Sequence, residues 1–433
     1  MPTETIDVRK PVDRAVLVGA PDRELPKRLA DEHLEELARL TDTARCRVVG
    51  TVVQRITHRH PRLYIGEGKA QEVAELARET GADVVIFDEE LTPAQGKGLE
   101  ELLGVRVMDR SELILDIFAT RARSKEARMQ VELAQLEYML PRLKRMWTHL
   151  SRIRGGIGLR GPGETQLETD RRLIGKRISE LKRKLGDVSM ARAVQRSGRG
   201  ESFRASLVGY TNAGKSSLLR ALSGSELFVE DRLFATLDST TRTVPLGSGR
   251  DALVTDTVGF IRKLPHDLVA SFRSTLEEAK EADVLLHVID ASHTDWEEQY
   301  GVVKAVLADL GLAEQDTILV FNKIDRLTHG EEQSLRERIR ALESTPAVFV
   351  SAHDDRSLDA LRDALRARVQ GRLAHVVVHV PSTDGEAIAA LYREGEVVAR
   401  VDQDLTVSLT AWVPRALLSR IAGRSGVTFE DLA

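Results

Sequence analysis

The chain has little of several things that a 433-residue protein could carry. It has a single cysteine, Cys46, which excludes an internal disulfide and is typical of a reducing compartment. It has no run of about eighteen apolar residues, so no membrane-spanning helix is expected. Residues 1–10 are polar and carry both signs of charge, which excludes a secretory signal. We therefore expect a cytoplasmic protein without membrane insertion.

Aromatic residues are also scarce, at 4%, but 42% of residues are hydrophobic and 30% are charged, as in ordinary folded proteins. This length predicts about two to four domains. The net charge of −4 is unevenly spread, because residues 121–200 hold 20 Lys/Arg and 8 Asp/Glu and the remainder holds 43 and 59. A basic segment on an acidic body indicates contact with a phosphate backbone, although solvated helical faces also carry such runs.

Residues 209–216, GYTNAGKS, match the phosphate-binding pattern G-x-x-x-x-G-K-[ST] at every fixed position. The glycines let backbone N–H groups point at a triphosphate, Lys215 can reach the β and γ phosphates, and the Ser216 hydroxyl can bind Mg²⁺. The apolar run 205–208 before the loop predicts a strand, and 217–222 predicts the start of a helix, whose N-terminus favours anions.

A second motif points to guanine. The sequence NKID at 322–325 follows the apolar run 317–321, and the Asp325 carboxylate can accept hydrogen bonds from N1–H and the exocyclic amine of guanine. Adenine lacks this pair of donors and would leave the carboxylate unsatisfied. Ser351 and Ala352 end another apolar run, 347–350, and would brace the guanine ring. The alternative, a P-loop kinase that uses ATP, does not require Asn322 and Asp325.

A third motif, DTVG at 256–259, predicts contacts with the metal and the γ-phosphate. Asp256 can hold a metal ion through water, and the Gly259 N–H can approach the phosphate because no side chain obstructs it. Ras-like enzymes carry after this glycine a glutamine that orients the attacking water, but here Phe260 follows, and a phenyl ring cannot orient water. We therefore predict that the protein alone hydrolyses GTP slowly, and that a partner or another residue supplies the missing help. Packing of Phe260 beneath the switch, the segment that responds to the γ-phosphate, is compatible with this prediction.

The hydroxyl that completes the Mg²⁺ shell is predicted to be Thr236, in the polar stretch 234–242 that follows the P-loop. The neighbouring Thr240, Thr241 and Thr243 are the alternatives for the same role.

The N-terminal part alternates strand-like and helix-like runs, which favours a parallel sheet covered by helices. The predicted strands are 15–18, 48–53, 84–87 and 105–108, and the predicted helices lie near 26–44, 69–81 and 92–103. The loop 65–69 resembles half of a phosphate-binding loop, but it lacks the spacing and the hydroxyl after lysine, so a tight turn before a helix is the preferred interpretation.

Residues 125–190 predict a helical hairpin, because apolar residues step by 3 and 4 along each arm. The two stripes are Leu133, Leu136, Leu140, Leu143, Trp147 and Leu150, then Ile174, Ile178, Leu181, Leu185 and Val188. The connecting tip is rich in glycine and arginine, including Arg152, Arg154 and Arg160. It satisfies G-x-G-x-x-G but follows a helix rather than a strand, so the dinucleotide interpretation is rejected in favour of contact with folded RNA.

Several stretches together resemble the HflX-type GTPases, ribosome-associated members of the Obg–HflX superfamily of P-loop GTPases. They are residues 64–69, 130–136, 161–170, 209–216 and 256–262, and the sequence GPGE within them is more specific than any general GTPase motif. The resemblance runs from about residue 12 to the C-terminus and is looser over the tail. One departure is Ser239, where many relatives carry proline.

This resemblance implies a GTPase that uses GTP/GDP and Mg²⁺, is stimulated by ribosomes, and binds the large (50S) ribosomal subunit and its rRNA. Some relatives split 70S ribosomes, and their hairpin tip points toward the peptidyl-transferase region. The family pattern makes Ser216 and Thr236 the Mg²⁺ ligands and brings residues 234–238 to the nucleotide. We expect a monomer away from the ribosome. The alternatives are an RNA- or ribosome-binding regulatory factor with little turnover and an RNA-remodelling ATPase.

The predicted catalytic residues are Lys215, Thr236 and Gly259. The predicted nucleotide contacts are Gly209, Tyr210, Thr211, Asn212, Ala213, Gly214, Lys215, Ser216, Ser217, Phe234, Ala235, Thr236, Leu237, Asp238, Asp256, Thr257, Val258, Gly259, Asn322, Lys323, Ile324, Asp325, Ser351, Ala352 and His353.

The expected fold class is a multidomain α/β protein. The predicted parts are an N-terminal parallel α/β domain (1–120), a basic helical hairpin (121–190), a linker (191–203), a Ras-like P-loop G domain (204–372) and a small C-terminal α+β domain (373–433).

Overall fold

The structure, a computed structural model, describes residues 13–143, 164–197, 202–224, 232–247, 250–264, 278–403 and 405–432. The strands are β1 (Arg14–Gly19), β2 (Arg47–Val53), β3 (Val84–Phe87), β4 (Arg106–Asp109), β5 (Arg204–Gly209), β6 (Thr240–Gly247), β7 (Arg250–Asp256), β8 (Val284–Asp290), β9 (Thr317–Asn322), β10 (Ala347–Phe349), β11 (Leu373–Pro381), β12 (Glu396–Gln403), β13 (Thr406–Pro414) and β14 (Thr428–Asp431).

The α-helices of these ranges are α1 (Lys27–Thr43), α2 (Glu67–Thr80), α3 (Pro93–Leu103), α4 (Arg110–Arg121), α5 (Lys125–Met139), α6 (Glu164–Ser197), α7 (Lys215–Ser223), α8 (Trp296–Asp309), α9 (His329–Leu342), α10 (Asp359–Gly371), α11 (Gly385–Glu394) and α12 (Arg415–Ala422). Short 3₁₀ turns occupy Leu140–Arg142, Ile324–Arg326 and Asp355–Leu358. Among the described helices, none is both long and apolar enough to cross a bilayer.

The first sheet has the order β2-β1-β3-β4 and is parallel throughout. Its central strands are buried on both faces, as a parallel sheet between helices requires. Helix α3 begins with a capping box in which the Thr92 hydroxyl accepts from the Gln95 N–H and the Gln95 side chain accepts from the Thr92 N–H. The predicted parallel α/β fold is confirmed here.

Helix α4 was not predicted from the sequence. Its N-cap is Asp109, whose carboxylate accepts from the Glu112 N–H at 2.9 Å. Its residues from Leu113 to Phe118 are almost continuously apolar and buried, so they show no amphipathic period and the helix could not be distinguished from a strand.

Helices α5 and α6 lie side by side as the two arms of the predicted hairpin. Arg177 makes a two-pronged ion pair with Glu132, at 2.7 and 2.9 Å, and Lys182 contacts Glu137 at 2.8 Å. Leu181 is fully buried between the arms. The first arm was predicted to run unbroken to Leu150, but α5 ends at Met139. Since Pro141 has no N–H and its ring clashes with the preceding turn, the α-helix cannot continue through it.

The tip of the hairpin, including Arg152, Arg154 and Arg160, lies outside the described residues, as do Trp147 and Leu150.

The second sheet has the order β10-β9-β8-β5-β7-β6, with all pairs parallel except β6 against β7. The strands predicted before the three nucleotide motifs are confirmed as β5, β7 and β9. Because they are parallel, their carboxyl ends and the loops that follow meet at one edge of the sheet, where open α/β sheets bind ligands.

The third sheet is antiparallel, with the order β12-β13-β11-β14 and with α11 and α12 packed on one face. Strands β11 and β13 alternate buried and partly exposed residues, as expected for a sheet covered on one side. The predicted small α+β unit at the C-terminal end is confirmed, with the added edge strand β14.

Candidate nucleotide-binding site

The P-loop joins β5 to α7, and two glycines permit its path. Gly209 has φ of 153°, and a Cβ there would lie 2.3 Å from the Val288 carbonyl oxygen. Gly214 has φ of 95°, and a Cβ there would lie 2.3 Å from the Asn322 side-chain nitrogen. A larger residue at Gly209 would push β5 away from β8, and one at Gly214 would displace the Asn322 side chain.

Lys215 begins α7 and is buried beneath the loop. Its Nζ donates to the carbonyl oxygens of Gly209 at 3.1 Å and Tyr210 at 2.9 Å. Burial lowers the pKa of Lys215 to about 8, despite the opposing effect of the Asp256 carboxylate. A polyanion in the loop would favour the charged form, so this lysine is placed to respond to phosphate.

Three oxygen-bearing side chains meet beside the P-loop. The Ser216 hydroxyl lies 2.7 Å from the Thr236 hydroxyl and donates to Asp256 Oδ2 at 2.5 Å. The other oxygen, Asp256 Oδ1, is buried and has no partner among the described residues. Burial raises the pKa of Asp256, against the attraction of Lys215.

The chemistry of this set fits Mg²⁺. Two hydroxyls and one carboxylate are hard oxygen ligands, and Mg²⁺ commonly uses one or two carboxylates together with phosphate oxygens and water. Over the residues that the structure describes, no cluster of three or more His, Cys, Asp or Glu side chains offers a competing metal site.

The alternative threonines lie elsewhere. Thr240, Thr241 and Thr243 belong to β6, which was not predicted, and the Thr241 hydroxyl bonds that of Thr255 at 2.9 Å. Thr236 is therefore the threonine of this group that the structure brings to Ser216.

A small cleft lies over the P-loop, on the side of the DTVG motif. It is lined by Thr211, Asn212, Gly214, Lys215, Ser216, Ser217, Arg232, Phe234, Ala235, Thr236, Thr257 and Gly259. A Cβ on Gly259 would lie 3.1 Å from the Lys215 nitrogen, so a side chain there would fill the approach to the phosphate. Eleven of the predicted contacts and Arg232 thus line one space, and Val258, between two of them in the sequence, is buried.

Phe260 faces the protein interior. Its N–H donates to the Gly209 carbonyl at 3.1 Å, its carbonyl accepts from the Thr211 N–H at 2.7 Å, and its side chain is 1% exposed. The same hydrophobic cluster contains Phe234, whose ring meets the edge of Phe118 at 4.6 Å. The position after the motif therefore offers no hydrogen-bonding group to the cleft.

The base-recognition motifs meet on the other side of the P-loop. The Asn322 amide donates to the Ala213 carbonyl at 2.9 Å and accepts from the Ala352 N–H at 3.2 Å. Asp325 accepts a 2.5 Å hydrogen bond from the Ser351 hydroxyl, which also accepts from the His353 N–H at 3.2 Å.

Lys323 Nζ donates to the Asn212 carbonyl at 2.8 Å and to Asp290 at 2.6 Å, and Ile324 packs against the neighbouring apolar cluster. The P-loop, the NKID motif and residues 351–353, which are far apart along the chain, are thus joined by hydrogen bonds into one side of the candidate site.

Three predicted contacts, Tyr210, Leu237 and Asp238, point away from the cleft, and no local sequence pattern indicates their partners. Tyr210 donates through its hydroxyl to Glu36 of α1 at 2.5 Å, and the Arg262 N–H donates to the Tyr210 oxygen at 3.0 Å. Asp238 contacts the start of α5, while Leu237 beside it is 3% exposed and belongs to the core. The loops around the cleft therefore contact both the first sheet unit and the hairpin.

Comparisons with known proteins agree with this geometry. The family described as 50S ribosome-binding GTPase matches residues 204–323. Two others, GTP-binding GTPase N-terminal and GTP-binding GTPase Middle Region, match residues 31–119 and 121–199. A GTPase HflX from Magnetococcus marinus is 43% identical over 432 residues, covering 98% of this chain and 99% of the relative. The chain belongs to the HflX family of GTPases.

The HflX of Escherichia coli is likewise 43% identical, with 88% of this chain and 90% of the relative covered. A solved GTP-binding protein from Sulfolobus solfataricus in complex with GDP is 26% identical, with 83% of this chain and 99% of that chain covered and a TM-score of 0.44. As an HflX GTPase, the protein binds GTP and GDP and hydrolyses GTP.

Proposed function

We propose that this HflX GTPase binds the large ribosomal subunit and its rRNA, and that its nucleotide state controls ribosome binding and the splitting of 70S particles. Two observations support ribosome binding: the matched family is described as 50S ribosome-binding, and residues 121–200 form a strongly basic segment. A segment with this excess of Lys and Arg gains affinity for RNA by releasing counterions.

Within the site, we propose that Lys215 and the P-loop N–H groups hold the phosphates and that Asp325 reads guanine, with residues 351–353 beside it. Ser216 and Thr236 would be direct Mg²⁺ ligands, and Asp256 would hold a metal-bound water. When bound, Mg²⁺ would neutralise the charge that develops on the phosphate oxygens. The Gly259 N–H would contact the γ-phosphate, since this position has no Cβ and so fits closely against Thr211 and Lys215.

The observation that carries the proposal is the contact between Asp238 and the hairpin. Asp238 Oδ2 accepts from the N–H groups of Arg123 at 3.0 Å and Ser124 at 3.2 Å, and its other oxygen accepts from the Ser124 hydroxyl. Ser124 is itself the N-cap of α5, since its hydroxyl accepts from the Ala127 N–H at 3.0 Å.

This contact joins the nucleotide site to the hairpin over a short distance. Asp238 is two residues past Thr236, and the intervening Leu237 is buried. Phe234, two residues before Thr236, packs on Phe118 of α4. Any shift of Thr236 with the γ-phosphate would therefore act on α4 and on α5, the first arm of the hairpin. A switch segment ordered by GTP and released on hydrolysis is a common device of GTPases.

Replacing Asp238 with Ala is expected to uncouple the hairpin from the nucleotide site. The variant loses hydrogen bonds at the start of α5, each worth about 1 kcal/mol, but no group of the nucleotide cleft. We expect GTP affinity close to that of the unchanged protein, and 50S binding that no longer differs between GTP and GDP. Co-sedimentation with 50S subunits measures the difference. The exposed Asp309, replaced by Ala, is the matched control. An Asp238 variant that keeps the full nucleotide dependence would contradict the coupling.

Turnover of GTP with and without 50S subunits tests the function as a whole. Because Phe260 is buried, we expect slow basal hydrolysis and stimulation of about tenfold or more by the subunit, as external catalytic groups provide in other GTPases. Binding without stimulation would favour the alternative, a ribosome-binding regulatory factor with little turnover. Sedimentation of 70S particles with GTP, a non-hydrolysable analogue or GDP tests splitting, and intact 70S peaks in all three would refute that part.

A further inference from the structure

In GTPases, an arginine often adds to the P-loop lysine and Mg²⁺ in stabilising the charge that builds on the transferring phosphate. Three other cations lie near the site, but each is held elsewhere. Arg262 contacts Asp88 at 2.9 and 3.0 Å, and Lys263 contacts the same carboxylate at 3.0 Å. Lys323 is paired with Asp290 at 2.6 Å. Moving any of them would take a cation away from a largely buried carboxylate, Asp88 or Asp290, which is costly.

Arg232 differs from these cations. It lines the cleft together with Lys215, Thr236 and Gly259, and it is exposed. Across the described part of the chain, it makes no ion pair or hydrogen bond, so no existing contact must break before it meets a phosphate. It is the cation of the cleft wall that is available to a ligand.

The position of Arg232 is nevertheless fixed by its neighbours. Phe234 has φ of 54°, its N–H donates to the Thr211 hydroxyl at 2.9 Å, and its ring is buried. The backbone two residues after Arg232 is therefore pinned to the P-loop on one side and to the core on the other. The long side chain of Arg232 then extends from an anchored base rather than from a drifting loop.

We infer that Arg232 is a catalytic residue that this HflX GTPase supplies from its own chain, donating to oxygens of the β–γ phosphate link during hydrolysis. The inference rests on the nucleotide contacts proposed above. In this step the water oxygen bonds to the γ-phosphorus, the bond from that phosphorus to the bridging oxygen breaks, and the bridging oxygen leaves on GDP with its electron pair. The proton that the water loses passes to an oxygen of the phosphate or to solvent, and the products are GDP and inorganic phosphate.

The guanidinium group suits this task because it stays charged and offers several donors in one plane, which can bind a bridging and a non-bridging oxygen together. It stabilises charge but does not orient water. Phe260 cannot do so either, so a partner is still needed for that part of the reaction. The two contributions are separate, and Arg232 acts both with and without the ribosome.

The test uses the full chain with Arg232→Ala, Arg232→Lys and the control Arg220→Ala, an exposed arginine on α7 that does not line the cleft. Single-turnover GTP hydrolysis, GDP affinity and binding of GDP with aluminium fluoride, a mimic of the transferring phosphate, are measured for each. For Arg232→Ala we expect a loss of about tenfold or more in rate and in fluoride-dependent binding, with GDP affinity unchanged, because arginines at this step act on the transition state. The rate and the fluoride-dependent binding of Arg232→Lys should lie between those of Arg232→Ala and the unchanged protein. Arg220→Ala should match the unchanged protein in all three measurements.

Arg232→Ala that hydrolyses GTP and binds the fluoride complex like the unchanged protein would overturn the assignment, as would equal losses in the Arg220 control. Loss of GDP affinity in step with rate would also overturn it, because Arg232 would then serve binding alone. Failure of the unchanged protein to bind GTP would instead refute the proposed site itself. With 50S subunits present, the hydrolysis rate of each variant relative to the unchanged protein should be the same as without them.

Discussion

Replacing Asp325 with Asn is expected to weaken GTP binding by about 100-fold or more and to create measurable binding of xanthosine triphosphate. The carboxylate provides two acceptor oxygens, and hydrogen bonds to a charged group each contribute about 1.5–3 kcal/mol. An Asn presents an amide N–H₂ in place of one oxygen and meets a donor of guanine head-on. Xanthine carries a carbonyl in place of the exocyclic amine, so the new donor finds an acceptor.

The local structure gives this variant a clear interpretation. Asp325 is exposed and already accepts from Ser351, so the change adds no buried charge and removes no core packing. Fluorescent guanine and xanthine nucleotides in competition measure both affinities. Asp309→Asn, which also removes one exposed carboxylate, is the control. Unchanged preference for guanine in the Asp325 variant would show that this motif does not read the base.

The nucleotide motifs could be located from the sequence because each follows a strand. The structure confirms strands β5, β7 and β9 and brings the loops after them to one edge of the sheet. Within each motif the spacing is local and the residue types are restricted, since glycine is needed where a Cβ would collide, as at Gly209. The fold class followed from the same reasoning and is confirmed.

Two strands of the second sheet were missed for different reasons. Strand β8 is a short, wholly buried apolar run, which periodicity cannot separate from a helical segment. Strand β6 is an edge strand rich in threonine, and its first polar residues belong to the stretch 234–242, which the sequence indicates as the segment around the Mg²⁺ ligand. The pairing of Thr241 with Thr255 depends on β7, which lies beyond the turn and gives no local sequence signal.

Contacts between the parts of the chain could not be predicted at all. Asp238 and Ser124 are 114 positions apart, and Tyr210 and Glu36 are 174 apart. Glu36 belongs to α1, whose charges resemble those of any solvated helical face. Glu36 is buried because the unit that contains the first sheet packs against the loops of the second sheet. No rule of residue spacing describes such packing.

Replacing Arg110 with Met is expected to give the largest loss of stability. Arg110 is 1% exposed and pairs with Glu36, with Asp88 at 2.8 Å, and through Nε with the Arg262 carbonyl at 3.3 Å. Methionine has a similar reach but no charge, so two buried carboxylates lose a shared cation. Removing one partner of a buried ion pair costs about 3–5 kcal/mol. Arg262 and Lys263 still face Asp88, so we expect the lower end of this range.

The loss should be seen as a thermal transition about 6–12 °C lower for the unit that contains the first sheet, if each kcal/mol shifts a transition of this size by about 2–4 °C. Differential scanning calorimetry measures this shift. Arg106→Met is the matched control, because Arg106 pairs with Glu112 at an exposed site, and such pairs contribute at most about 1 kcal/mol. Similar shifts in the two variants would contradict a special role for the buried group.

The pH dependence of this difference provides an independent check. Burial alone would raise the pKa of Asp88, but Arg110, Arg262 and Lys263 outweigh it and hold the pKa below its ordinary value of 3.8. A carboxyl whose pKa is lower in the folded state stabilises the fold above the unfolded value and loses that effect as the pH falls through the folded value. The difference in free energy of unfolding between the unchanged protein and Arg110→Met should therefore be constant near neutral pH and become smaller below about pH 4. A gap that widened in acid would show that Asp88 is not the carboxylate that Arg110 stabilises.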